Sequence, residues 1–157
     1  MSGRVLSLLA TAGSLTLLLG ALAFQYIGGL PPCDLCIDQR WPHLAAVVFG
    51  LIGRVLRPAA MAALGALATL STAGIGAYHA GVEYGWWPGP DSCTGSPGGL
   101  GGLSGADLLS TDTVAPIVMC DQVAWSLMGL SMAGWNAVLS FALTGLWIMA
   151  YRRLNER

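Results

Sequence analysis

The stretch VLSLLATAGSLTLLLGALAFQYI, residues 5–27, contains no charged side chain in 23 consecutive positions. At about 1.5 Å of rise per residue, a helix of this length covers roughly 34 Å, slightly more than the ~30 Å hydrocarbon core of a bilayer. We therefore predict a transmembrane helix. Ala21-Leu22-Ala23 resembles the cleavage site of a signal peptide, but the apolar run is longer than a signal peptide uses, so we expect the helix to be retained.

Three further apolar segments lie at 41–56, 59–82 and 123–151. The chain has 157 residues, of which 55% are hydrophobic and 10% are charged, whereas a soluble domain carries about 25% charged residues. The predicted fold class is therefore an all-α membrane protein, in which residues 1–157 form one bundle of four transmembrane helices. The segment 41–56 would reach only about 24 Å as a helix. It must borrow length from its flanks, sit where the bilayer is thin, or pack among its neighbours.

The arginines predict the orientation of the bundle. All seven basic residues are arginine, and six of them flank the predicted spans on one side, leaving only Arg40 on the other. Because basic residues near span ends stay in the cytoplasm, both termini are predicted to be cytoplasmic. The loops at about 28–40 and 84–121 then face outward. The six inner arginines are Arg4, Arg54, Arg57, Arg152, Arg153 and Arg157.

All four cysteines fall in these two outer loops. An outer or lumenal compartment permits disulfides, so an even number of cysteines there predicts two pairs. Four cysteines allow three connectivities. Spacing favours Cys33 with Cys36 and Cys93 with Cys120, because each of these pairs lies within its own loop.

The Cys33-x-x-Cys36 spacing brings two sulfur atoms within one helical turn, an arrangement suited to thiol–disulfide exchange. We expect Cys36 to lie just outside the N-terminus of the second span, four residues before Arg40, and both features lower the pKa of a thiol. The alternatives are a structural disulfide or half of a zinc site, although a second Cys-x-x-Cys is missing. Cys93 and Cys120 flank a glycine-rich stretch, which favours a labile bridge that a partner can attack.

Three further side chains are candidates for chemistry. Arg40 is expected either to extend its charge towards water or to hold a carbonyl oxygen through its planar donors. His79 precedes Glu83 by one helical turn, so the two side chains are expected to pair. His43, in the first turn of the second span, is more typical of packing. Two histidines on separate spans could ligate haem, but no other pattern supports haem, and no metal site is predicted.

Two stretches resemble the disulfide bond formation protein B (DsbB) family: Pro32-Cys33-Asp34-Leu35-Cys36-Ile37-Asp38-Gln39-Arg40 and residues 120–136, CDQVAWSLMGLSMAGWN. The resemblance extends from the end of the first span through the fourth. It implies a four-span quinone reductase of the bacterial inner membrane, which reoxidises the periplasmic dithiol oxidase DsbA. The chain departs from the family pattern in having Asp34 between the cysteines, Gln39 where an acidic residue is common, and a glycine-dense second loop.

The resemblance also implies roles for single residues. Cys33 and Cys36 resemble the pair that faces the quinone, with Cys36 as the sulfur that reacts with it. Cys93 resembles the cysteine that DsbA attacks, and Cys120 its loop partner. Arg40 and His79 resemble the quinone-binding arginine and histidine. The implied cofactor is ubiquinone or menaquinone, and the implied partners are a periplasmic DsbA-like oxidase, the quinone pool and the lipid bilayer, with no nucleic acid.

Two other interpretations remain open. A vitamin K epoxide reductase-like enzyme also combines a helix bundle, Cys-x-x-Cys and a quinone, although there the motif usually comes late in the bundle. A small structural or transport protein could carry the same cysteines merely to brace its outer loops. In that case replacing Cys36 by serine would cost stability without any loss of electron transfer.

Overall fold

A computed structural model describes residues 1–90 and 119–156. Cys93 and the glycine-rich part of the second outer loop lie outside these described residues. The described part is mostly helical. Its elements, in chain order, are α1 (Gly3–Tyr26), α2 (Asp34–Asp38), α3 (Arg40–Ile52), α4 (Pro58–Glu83), β1 (Ser126–Leu127), β2 (Leu130–Ser131) and α5 (Met132–Asn155).

Helices α1, α4 and α5 are long and apolar enough to cross a membrane, with mean hydropathies of 2.0, 1.5 and 1.4 over their most apolar stretches. Their outer surfaces carry large apolar side chains that a soluble protein would bury: Leu19 is 55% exposed and Leu67 is 60% exposed. Exposed leucines of this kind are stable against lipid tails. Helix α3 has 13 residues, which is about 20 Å of helix, and is shorter than a typical span.

The four longer helices pack in the cyclic order α1, α3, α4, α5, so that α1 and α4 lie diagonally and hardly touch. Small residues make the close approaches. A side chain on Gly65 of α4 would meet the buried ring of Trp147 in α5, with its Cβ 2.7 Å from Trp147 Cδ2. Gly50 of α3 faces Thr11 of α1 in the same way. These contacts are typical of membrane helices, which approach through glycine and alanine.

The fourth apolar segment begins its helix later than expected. The predicted span 123–151 starts instead at Met132 and runs to Asn155, because residues 126–131 form a hairpin in which Leu127 pairs with Leu130. Met128 and Gly129 both have positive φ, 53° and 78°, the conformation of a two-residue hairpin turn. The Ser131 side chain then caps α5 by accepting a hydrogen bond from the Gly134 N–H at 3.1 Å.

The second apolar segment is also shorter than the predicted 41–56. Helix α3 starts at Arg40 and stops at Ile52, after which residues 53–56 turn towards α4. Arg57 adopts a left-handed conformation with φ of 41°, and Pro58 opens α4, where the missing proline N–H leaves no intrahelical hydrogen bond unmade. The tight turn makes α3 and α4 an antiparallel pair. The opposite end of α3, at Arg40, follows directly from the cysteine-bearing helix α2.

Candidate active site

Cys33 and Cys36 lie at the two ends of the first turn of the short helix α2. Cys33 is the N-cap, and its Sγ accepts a hydrogen bond from the Cys36 N–H at 3.3 Å. Cys36 therefore lies inside α2, and because α3 begins at Arg40 it also lies just outside the N-terminus of the second span, as expected from the sequence. Both cysteines are free thiols with their Sγ atoms 2.8 Å apart, so the structure represents the dithiol state of the expected pair. A covalent S–S bond of about 2.05 Å needs only a small side-chain rotation.

The two thiols differ in acidity. A hydrogen bond from the Cys33 thiol lowers the pKa of Cys36, and the positive charge of Arg40 acts in the same direction, against burial and the Glu83 carboxylate. The same hydrogen bond raises the pKa of Cys33, because Cys33 keeps its proton in order to donate it. Since the thiolate is the reactive form, this difference in pKa favours Cys36 over Cys33 as the more reactive sulfur of the dithiol.

His79 and Cys120 lie beside Cys33. The His79 Nε2 atom is 3.6 Å from Cys33 Sγ, and the ligating atoms of Cys33, His79 and Cys120 all lie within 4.8 Å of one another. Cys120 is fully buried and disulfide-bonded, so its sulfur is not a thiolate ligand for a metal. The expected pair of His79 with Glu83 is present, with Nε2 and Oε1 3.9 Å apart. The second outer loop therefore enters the site of the first through Cys120.

Arg40 occupies the first position of α3, next to Cys36. Its Nη1 atom donates a hydrogen bond to Gln25 Oε1 of α1 at 2.5 Å, which ties the guanidinium to the neighbouring helix. Its Nε atom is buried and has no partner among the described residues. One N–H of the guanidinium thus lacks a hydrogen-bond partner there, and Arg40 also lines the cavity described next.

A cavity of about 360 Å³ opens beside Cys36 and Arg40, between α1, the hairpin and α5. Most of its wall is aliphatic or aromatic, contributed by side chains such as Leu17, Phe24 and Trp135. The polar side chains on the wall include Cys33, Cys36, Gln39, Arg40, His43, His79, Glu83 and Asn136. Apolar walls with a few convergent polar groups are typical of small-molecule sites of this size, and an aromatic ring that carries carbonyl oxygens matches both parts of the wall.

Two polar residues that the sequence analysis did not assign to the site link it to the bundle interior. Gln39, 6% exposed, bonds His79 Nδ1 through its Nε2 atom at 2.9 Å and accepts from Asn136 Nδ2 at 2.7 Å. Asn136 Oδ1 in turn accepts from His43 Nε2 at 2.9 Å, which gives His43 a polar partner on α5. The signal that could have found Gln39 and Asn136 is the rule that polar side chains in apolar spans face the bundle interior.

Comparison with known proteins decides the family. A family profile described as disulfide bond formation protein DsbB matches residues 3–150. The chain belongs to the DsbB family. It is 35% identical over 155 residues to disulfide bond formation protein B of Verminephrobacter eiseniae (strain EF01-2), with 94% of this chain and 84% of the relative covered. It is 33% identical to the protein of the same name from Methylococcus capsulatus (strain Bath), with 90% of each chain covered.

A further DsbB relative is disulfide bond formation protein B 2 of Pseudomonas aeruginosa (strain PAO1), 30% identical over 137 residues, which cover 81% of this chain and 78% of the relative. No solved structure matches the chain significantly. Family membership makes the chain a membrane disulfide oxidoreductase, and the matched residues include the whole site described above.

Proposed function

We propose that this protein reoxidises a periplasmic DsbA-like dithiol oxidase and passes the two electrons to a membrane quinone. The observation that carries the proposal is the position of the Cys33–Cys36 pair. On one side, Cys33 lies within 4.8 Å of the ligating atoms of Cys120 and His79. On the other side, Cys36 lines an apolar cavity together with Arg40. The pair thus stands between the cysteine of the second loop and a site open to a lipid-soluble acceptor.

The first half of the proposed reaction is disulfide exchange. A DsbA thiolate attacks Cys93 in a Cys93–Cys120 disulfide, which forms a mixed disulfide and releases Cys120 as a thiolate. The Cys120 thiolate attacks Cys33 in the oxidised Cys33–Cys36 pair, and the bond that breaks releases Cys36 as a thiolate. The second DsbA thiol then displaces Cys93. At that point DsbA is oxidised, and its two electrons reside in the cysteines of this chain.

The second half takes place at the cavity. The hydrogen bond from Cys33 lowers the pKa of Cys36, which favours the thiolate form of a residue that lines the cavity. Arg40 lines the same cavity and would donate a hydrogen bond to a carbonyl oxygen, and the apolar wall would exclude water. A bound quinone supplies a two-electron, two-proton acceptor. Because DsbA is among the most oxidising thiol couples, at about −120 mV, the acceptor must be more oxidising still, and either ubiquinone or menaquinone is proposed. The Cys93 thiol attacks Cys120, which re-forms the Cys93–Cys120 disulfide and releases Cys33, and the Cys33–Cys36 disulfide then re-forms as the acceptor takes two electrons and two protons.

The proposal includes the location of these groups. All four longer helices would span the bacterial inner membrane, with both termini in the cytoplasm and the cysteines at the periplasmic face. Supporting this, the cluster formed by Cys33, Leu35, Val82 and Cys120 is separate from the cluster at the other ends of the helices, where Leu6, Ala62 and Ala150 pack around Trp147. Arg152 and Arg153 belong to the last turn of α5, beyond the second cluster.

The test is an anaerobic reaction of the purified protein with reduced DsbA and a soluble ubiquinone analogue, followed by quinone absorbance. The wild type should reduce the quinone, and Cys36→Ser should not. Asp38→Asn is the matched control, because Asp38 is an exposed residue of the same short helix, and it should retain the wild-type rate. Turnover that survives Cys36→Ser would refute the proposal. A wild type that reduces no quinone and keeps both disulfides intact, with a partner and an acceptor shown to be competent in parallel, would favour a structural or transport role.

A further inference from the structure

The hydrogen bonds around Gln39 determine which nitrogen of His79 carries the proton. Gln39 is the residue between α2 and α3, and its side chain makes three contacts. Its Nε2 atom donates to the Leu35 carbonyl at 3.0 Å and lies 2.9 Å from His79 Nδ1. Its Oε1 atom accepts from Asn136 Nδ2 at 2.7 Å.

The orientation of the Gln39 amide follows from its partners. A backbone carbonyl only accepts, so the atom that faces the Leu35 oxygen must be the nitrogen. The Asn136 amide is oriented in the same way. Its Nδ2 atom also donates to Thr72 Oγ1 at 3.1 Å. The Thr72 hydroxyl can accept there because it donates its own proton to the backbone carbonyl of Gln39 at 3.0 Å. A flipped Gln39 amide would place oxygen against oxygen at Leu35 and nitrogen against nitrogen at Asn136.

Since Gln39 donates to His79 Nδ1, that ring nitrogen must be an unprotonated acceptor, and a neutral imidazole then carries its proton on Nε2. The groups around Nε2 are acceptors, as an N–H requires. They are Cys33 Sγ at 3.6 Å and Glu83 Oε1 at 3.9 Å. The imidazole also has a hydrogen-bonding interaction with the backbone of Cys120. With 2% of its surface exposed, His79 has little access to water that could exchange these roles.

We propose that Gln39 is a positioning residue that holds His79 as the Nε2–H tautomer, so that His79 serves as a fixed hydrogen-bond donor beside the Cys33 sulfur, next to Cys120, rather than as a base. Its role in turnover rests on the proposed function. During exchange, Cys120 attacks Cys33 and is later displaced from it, so a thiolate forms repeatedly beside Nε2. An N–H there stabilises that thiolate, whereas a bare Nε2 lone pair would repel it.

The first test is ¹⁵N NMR of the full chain labelled at histidine, in detergent micelles with both Cys33 and Cys36 reduced. The chain has two histidines, so His43→Phe assigns the spectrum. The His79 ring should show its N–H at Nε2 and an unprotonated nitrogen at Nδ1. In Gln39→Glu, where the new side chain accepts instead of donating, the proton should move to Nδ1. A wild-type proton on Nδ1, or a Gln39→Glu spectrum identical to the wild type, would overturn the proposal.

The second test is turnover of DsbA with a soluble quinone. We expect Gln39→Met, which removes the donor without adding a charge, to lower kcat about tenfold, the size of one hydrogen bond to a charged group, with KM for DsbA unchanged. Gln39→Glu introduces the residue type that is common at this position in the family, so it serves to move the proton, and its kcat measures the effect of the tautomer together with the added charge. Thr69→Val is the control, because it removes another buried hydroxyl of α4 that contacts Thr144, Gly65 and Ala66 but not Gln39, and it should keep the wild-type spectrum and kcat. An unchanged kcat after the proton has moved would refute the role in exchange. A wild type without turnover would refute the proposed function, while the NMR result would still decide the tautomer.

Discussion

The thiol of Cys33 is the first cause of the lowered pKa of Cys36, and this gives a titration that can be measured. Cys33→Ala removes the hydrogen bond, so the Cys36 pKa should rise and its thiolate fraction at neutral pH should fall. Ultraviolet thiolate absorbance against pH measures both. Cys33→Ser keeps a donor at the same position and should show a smaller rise. An unchanged titration in Cys33→Ala would mean that Arg40 and the helix, not the neighbouring thiol, hold the thiolate.

Arg40 should matter for the quinone more than for disulfide exchange. Arg40→Met keeps the length of the side chain but removes every donor, including the unpartnered Nε, so KM for the quinone analogue should rise by about tenfold or more, as expected when one charge-assisted hydrogen bond is lost. Arg40→Lys keeps the charge but loses the planar set of donors, so its KM for the quinone analogue should lie between those of the wild type and Arg40→Met. The rate of exchange with DsbA in the absence of quinone should change little. Equal losses in the two assays would indicate a structural arginine.

The site residues that can be predicted from the sequence are rare residue types at the ends of spans, whereas those that were missed depend on how each helix is rotated. Cys33, Cys36 and His79 are rare types in an apolar chain, and their spacing at the outer ends of spans predicts that they meet. Gln39 and Asn136 were missed because a polar residue in or beside a span reveals its partner only once the rotation of each helix is known. Their contact joins residues 97 positions apart, a separation that no local pattern encodes.

At the scale of the helices, close packing of α4 against α5 gives a stability prediction. Gly65→Ala should destabilise the bundle by about 1–3 kcal/mol, the usual cost of overpacking, because the added Cβ would lie 2.7 Å from the fully buried ring of Trp147. Gly74→Ala in the same helix is the matched control, since its Cβ would have no neighbour within 4 Å. Reversible unfolding in mixed detergent micelles measures both. Equal stability of the two variants would contradict the packing of these helices.

The elements themselves were predictable where the apolar pattern is long, and less so where turns interrupt it. Helices α1 and α4 begin and end within two residues of the predicted segments 5–27 and 59–82. The hairpin before α5 was missed because Trp125, Leu127 and Leu130 extend the apolar run without a break. Its only local signal is the pair Met128-Gly129. Tertiary contacts hold the hairpin, including a hydrogen bond from the Tyr84 hydroxyl to the Gly129 carbonyl at 3.0 Å.

At the scale of the whole molecule, the chain has two chemically different ends. Cys33, Cys36, Cys120 and the open cavity lie at one end, whereas the other carries Arg152, Arg153 and a packed apolar cluster. Such an arrangement suits a protein that exchanges disulfides on one side of a membrane only. Composition and the arginine distribution predicted this asymmetry. Whether α3 is itself a membrane span could not be decided from its length, because α3 covers only about 20 Å.

The orientation can be tested by labelling single cysteines in a chain whose four native cysteines are replaced by serine. Asp38→Cys, at an exposed position of α2, should react with a membrane-impermeant maleimide in cells whose outer membrane has been made permeable but whose inner membrane is intact. Asn155→Cys, at the exposed end of α5, should react only after the inner membrane is broken. Three spans instead of four would place both positions on the same side of the membrane. Labelling of both positions before lysis would therefore show that α3 does not cross the bilayer. The proposed bundle of four spans would then be wrong, and the site would lie beside three spans.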